Sequence, residues 1–213
     1  MCEMPMPGQT WTMAAASFLG MWVVMMVVMM LPSLIPMLRH YRRAVGTIDA
    51  RRLGLLTALV SLGYFFVWTV FGMVAYPLGV ALKAIELQHP AVAGAIPLAG
   101  GVVVLIAGAF QFTAWKARQL ACCREPLERG RALPAAAIAA WRHGFRLGLN
   151  CCGCCANLMW ILVVLGVMEL PVMAVVTAAI SAERLAPAGE RVAQATGAVI
   201  VVAGVVLLVR ISM

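Results

Sequence analysis

Gly148-Leu149-Asn150-Cys151-Cys152-Gly153-Cys154-Cys155-Ala156-Asn157-Leu158-Met159 runs into an apolar stretch that ends at Met168. Four of the chain's seven cysteines fall within five residues. The apolar run is long enough for the stretch to open a membrane-crossing helix. At about 100° per residue, Cys151, Cys155, Leu158 and Leu162 share one helical face, and Cys154 flanks it about 60° away. Gly144 and Gly148 continue that face backwards, where a neighbouring backbone can approach closely. Sulfur ligands on one face suit a soft metal ion, above all Cu(I) and less specifically Zn. Cys151, Cys154 and Cys155 are therefore the candidate metal ligands. The competing assignment is inert buried thiols, because free cysteine packs as a small hydrophobe.

Composition points the same way. The 213 residues are 64% hydrophobic and 11% charged, with mean hydropathy +0.98. Such values exclude an ordinary soluble domain and predict an all-α, polytopic membrane helix bundle of about six transmembrane helices, residues 1–213 forming one integral membrane domain. The net charge of +8 sits in loops between apolar runs. That is the distribution of topology signals, so the expected partner is the lipid bilayer and not nucleic acid. Met1-Cys2-Glu3 lacks a basic leader, and the first apolar run is expected to remain as an uncleaved span. An odd cysteine count with vicinal pairs does not suggest a disulfide framework.

The first span is expected over about residues 14–37. Trp22, Met25, Met29 and Ser33 form one helical stripe, with Met26 and Met30 on its edge. Six of the fifteen methionines lie in this span. Thioethers pack well but are also Cu(I) ligands, which makes Met25 and Met29 candidate ligands beside the cysteines. Pro32 and Pro36 are expected to kink or end the helix. A second span over 53–76 places Tyr64, Trp68 and Phe71 on one face, for helix packing. His89 stands in a loop beside Pro90. A third span over 91–115 aligns Gly101, Gly108 and Gln111, with Gln111 either bonding another helix or standing beside the metal site. The loop from Lys116 to Arg146 holds Cys122 and Cys123, with a short interfacial helix over 135–141. Spans over 147–168, 171–180 (reaching toward Leu185) and 192–209 complete the six. Glu169 and Glu183 are candidate proton or metal relay groups, or end-of-helix carboxylates, with Glu183 paired to Arg184.

Loops after the first, third and fifth spans hold 14 of the 16 lysines and arginines. The positive-inside rule then puts both termini outside and the basic loops in the cytoplasm of a bacterial inner membrane. The cysteines would lie near the reducing side, where free thiols persist. Met29, Gln111 and the cysteines would reach a similar depth, and the first span is expected to pack against the fourth.

These residues resemble an uncharacterised bacterial family of predicted metal-binding integral membrane proteins. The resemblance covers Trp22 to about Gly204. It is carried by Trp22-x-x-Met25 running on to Met29-Met30-Leu31-Pro32-Ser33, Gly63-Tyr64 with Trp68 and Phe71, and Gln111 with Lys116. Further along it includes Cys123-Arg124-Glu125-Pro126 and, most strongly, Gly148-Leu149-x-Cys151-x-Gly153-Cys154-Cys155, then Leu158-Met159, Gly166-Val167-Met168 and Glu183. The resemblance implies metal binding. In two places the chain departs from the family. Gln119 stands where a second loop cysteine is expected, with an extra Cys122 instead, which weakens the case for a loop pair completing the site. Ala156 replaces a Trp after the Cys-Cys pair, opening space beside Cys155.

The leading functional expectation is an integral membrane protein handling Cu(I) in transport, delivery or cofactor assembly, with a metallochaperone or membrane protein as partner and no catalytic residue assigned. The alternatives are a thiol-redox membrane protein using vicinal cysteines, and a non-catalytic subunit that packs against a partner.

Overall fold

The computed structural model describes residues 10–46, 48–88, 90–124, 134–165 and 170–212. The described residues form seven α-helices and no strand: α1 (Trp11–Val45), α2 (Ala50–Gln88), α3 (Pro90–Phe110), α4 (Ala114–Arg124), α5 (Ala137–Leu165), α6 (Leu170–Leu185) and α7 (Gly189–Ser212). Four of them are long and apolar enough to cross a membrane, over Trp11–Val45, Ala50–Ala81, Ala137–Leu162 and Gly189–Ile211. A fifth crossing results if Pro97–Phe110 and Ala114–Cys123, bent by 68°, count as one broken span. Against the six expected spans, α6 falls short. Its 16 residues rise about 24 Å, less than the roughly 30 Å hydrocarbon core.

α5 is the hub, packing on α2, α3, α4 and α6, while α3 pairs with α7 and α1 lies on α2 and α6. Small residues decide who meets whom. A Cβ on Gly144 would lie 2.0 Å from the Val60 carbonyl oxygen, and one on Gly148 would lie 2.9 Å from that of Tyr64. The close approach expected at these glycines is therefore made, and by α2. α1 reaches α5 through side chains, so the expected packing of the first span on the fourth is replaced by packing on α2 and α6. Trp22 anchors α1 to α2: its indole covers Gly72 and donates to the Trp68 carbonyl at 2.9 Å. In the third span, Gly101 and Gly108 face Leu208 and Val201, making α7 the partner of that small-residue face.

Four boundaries differ from the sequence expectation. α2 runs from Ala50 to Gln88, well past the expected end at residue 76. α1 runs through Pro32 and Pro36 to Val45, held by the burial of its Trp22-to-Tyr41 stripe against the cost of the missing N–H groups. α5 begins at Ala137, so the expected interfacial helix is its first turn and the cysteines lie mid-helix. The chain stops being α3 at Phe110, where Gln111, Phe112 and Thr113 make i to i−3 backbone bonds. Thr113 Oγ1 then accepts from the Lys116 N–H at 3.3 Å, capping α4 and restarting the helix in a new direction.

Candidate metal centre

Cys151, Cys154 and Cys155 stand at i, i+3 and i+4 on α5, a spacing that stacks them on one face. All three are buried, and their sulfurs lie within 4.8 Å of one another. Cys155 Sγ is 3.5 Å from Cys154 Sγ and 3.9 Å from Cys151 Sγ. Cys152 points elsewhere and is half-buried.

The other helices close over this face. From α4, Lys116, Leu120 and Cys123 turn inward at i, i+4 and i+7, and all are buried. Cys123 Sγ lies 3.1 Å from Cys154 Sγ and 3.1 Å from the Asn150 carbonyl oxygen, while the adjacent Cys122 is exposed. From α1, Met30 Sδ lies 3.9 Å from Cys151 Sγ. Met25 and Met29 are buried in the same apolar core. The thioether touching a thiol is thus the neighbour on the edge of the stripe. From α2, the Tyr64 hydroxyl donates to Cys151 Sγ at 2.9 Å, and from α6 the Arg184 guanidinium donates to the same sulfur at 2.9 Å.

A second buried network borders the sulfurs. Lys116 Nζ pairs with Glu183 Oε2 at 2.8 Å and donates to the Cys154 carbonyl at 2.6 Å. Gln111 Nε2 donates to Glu183 Oε1 at 2.7 Å. Asn157 Oδ1 lies 3.4 Å from Lys116 Nζ, and its amide donates to the Ala107 carbonyl. Gln111 thus bonds another helix, through the Glu183 carboxylate that also pairs with Lys116. Glu183 pairs with Lys116 and not with Arg184, because consecutive helical residues point about 100° apart. Glu169 and His89 lie outside the described residues.

Cys123, Lys116 and Tyr64 stand in the motifs that carry the family resemblance, but sequence alone gives none of them, nor Arg184, a ligand or partner role toward the cysteines. Lys116 looks like an ordinary loop charge until the chain is folded, and Arg184 like the ion-pair partner of Glu183. The spacing Lys116-x3-Leu120-x2-Cys123 was the available signal, since it puts a cation and a thiol on one apolar face. Position 119 is close too: a Cβ on Gly153 would lie 3.2 Å from Gln119 Oε1.

The donor chemistry fits a soft ion. Sulfurs around a common ion at about 2.3 Å stand about 3.8 Å apart in tetrahedral geometry. The 3.5 and 3.9 Å separations on α5 need only side-chain adjustment to reach that. Neither a curated protein nor a solved structure matches this chain. Residues 19–207, which include every side chain of the centre, match the PpoB2 copper chaperone family, and the chain belongs to that family.

Proposed function

We propose that this protein is an integral membrane copper chaperone that holds Cu(I) on two thiolates at a time from among Cys151, Cys154 and Cys155 and passes it on by exchange among neighbouring sulfurs. One observation carries the proposal: five sulfurs from three helices, running Cys123, Cys154, Cys155, Cys151 and Met30, form a continuous chain of contacts and are buried. Thiolate and thioether donors favour Cu(I) over harder ions. A run of closely spaced sulfurs lets a new donor bind before the old one leaves, which suits a carrier better than a closed structural site. Met25 and Met29 extend the thioether supply along α1 as further weak donors.

In the proposed topology the bent α3–α4 pair supplies the fifth crossing, and α6, shorter than the hydrocarbon core, supplies the sixth across a locally thinned bilayer. The basic loops face the cytoplasm of a bacterial inner membrane, where a metallochaperone or membrane protein exchanges copper with the centre. Reporter fusions after Arg43 and after Lys83 are expected to report opposite sides.

Metal analysis of the purified chain tests the function. Stoichiometric copper is expected in the wild type and none in a C151S/C154S/C155S variant. The Cys123–Cys154 sulfur distance of 3.1 Å favours one second role, a thiol-redox couple across α4 and α5. Thiols that oxidise and reduce reversibly while the protein binds no metal would establish that role instead.

A further inference from the structure

Arg184 is 6% exposed, yet its hydrogen bonds go to sulfur: Nη1 to Cys151 Sγ at 2.9 Å and Nη2 to Met37 Sδ at 3.4 Å. Its Nε has no partner. The carboxylate next to it in sequence, Glu183, is occupied by Lys116 and Gln111. Among the described residues, Lys116 and Glu183 cancel one another, and the guanidinium is a buried cation with no carboxylate. A buried charge of this kind is costly unless an opposite charge meets it, and among the described residues the groups in reach that can carry one are the cysteine cluster and the Tyr64 phenol, which itself donates to Cys151.

We infer that Arg184 is a specificity-determining residue: its fixed positive charge stabilises the singly negative complex that a monovalent soft ion forms with two thiolates. The inference rests on the copper reading above and adds a selection rule to it. A monovalent ion on two thiolates carries a charge of −1, which the guanidinium neutralises. A divalent ion on the same two thiolates is already neutral and gains nothing from Arg184. Softness makes thiols prefer Cu(I), and the buried guanidinium adds a preference set by charge. Arg184 acts through Cys151, by compensating the charge that this sulfur carries in the complex.

The test uses the purified full chain in detergent, under anaerobic conditions. Cu(I) affinity is read by competition with bicinchoninate, and Zn(II) affinity by competition with a chromogenic zinc chelator. In Arg184→Met, Cu(I) affinity is expected to fall about 10–100-fold, as for other outer partners of metal ligands, while Zn(II) affinity stays within about threefold of wild type. Arg184→Lys, which keeps the charge, should recover most of the Cu(I) affinity. Arg184→Gln carries the same comparison if the Met variant fails to fold. Equal losses for both ions would assign Arg184 a purely structural role and overturn the inference. So would unchanged Cu(I) affinity in the Met variant. A wild-type chain that binds no Cu(I) would instead overturn the copper function itself, so the two failures are distinguishable.

Discussion

Lys116 and Arg184 are both buried cations touching the cysteine stretch, one at the Cys154 carbonyl and one at the Cys151 thiol. They are held in opposite ways. Lys116 has a carboxylate, a carbonyl and an amide, and its carboxylate is shared with Gln111. This network is neutral and ties the start of α4, the end of α6 and the α3–α4 junction to α5. Arg184 has only sulfur. A neutral network belongs to the scaffold and is complete before any cargo arrives. A cation balanced only by thiols has a partner whose charge depends on what the thiols hold.

The largest effect is expected where the scaffold network is broken. Lys116→Met leaves Glu183 buried without its cation, which should cost about 3–5 kcal/mol. Lys116→Met with Glu183→Gln should recover a substantial part, since no lone charge remains. Unfolding titrations in mixed micelles measure both. Arg184→Met breaks no ion pair, and its cost to the metal-free protein should be clearly smaller than that of Lys116→Met. If the two single variants lose the same stability, the distinction between scaffold cation and cargo cation fails.

The contrast also shows what could be read from sequence. The helical character, the apolar spans and the cysteine face were legible because they depend on local periodicity: the positions of Cys151, Cys154 and Cys155 along one helix fix their common face. Gly144 and Gly148 announced a close approach for the same reason, but a glycine names no partner, and α2 took the place expected for α1. Lys116 and Arg184 were illegible as site residues because a lone basic residue next to an apolar run reads as a topology signal. The burial of Lys116 depends on the 68° turn between Pro97–Phe110 and Ala114–Cys123, which no single residue type specifies, and that of Arg184 on the packing of α6 against α5 and α1. Cys123 is carried inward with Lys116 on the same helix, α4.

A smaller effect should come from the α2–α5 seam, which acts on the Arg184 side of the comparison. Gly144→Ala sets a methyl against the Val60 backbone, at 2.0 Å before any relaxation. Overpacking of this kind costs about 1–3 kcal/mol. The displaced α2 should carry the Tyr64 hydroxyl away from Cys151, leaving the Lys116 network intact. Cu(I) affinity should then fall together with stability. Tyr64→Phe isolates the first of these effects. It removes one of the two hydrogen bonds donated to Cys151 with little change in packing, and Cu(I) affinity should drop about tenfold, the low end for an outer partner of a metal ligand. Competition with bicinchoninate reads both variants, and a Tyr64→Phe protein with wild-type affinity would leave Arg184 as the sole group tuning that sulfur.

The smallest effect is expected at Met30. Its thioether lies 3.9 Å from Cys151 Sγ, while Met25 and Met29 are buried on the same helix. Thioethers are neutral, so a ligand role for Met30 leaves the charge balance with Arg184 untouched and adds only one soft donor. Met→Leu conserves volume and keeps the core filled. Met30→Leu should therefore weaken Cu(I) binding about threefold, corresponding to about 0.65 kcal/mol. The same substitution at Met25 or Met29 reports on the wider stripe. If all three variants bind alike, the methionines of α1 serve as packing, and the cargo rests on cysteine sulfur alone. If Met25→Leu or Met29→Leu weakens binding more than Met30→Leu, the ion sits further along α1 than the thiol contacts indicate. The Arg184 contrast would then have to be redrawn around a site in which Cys151 is a peripheral ligand.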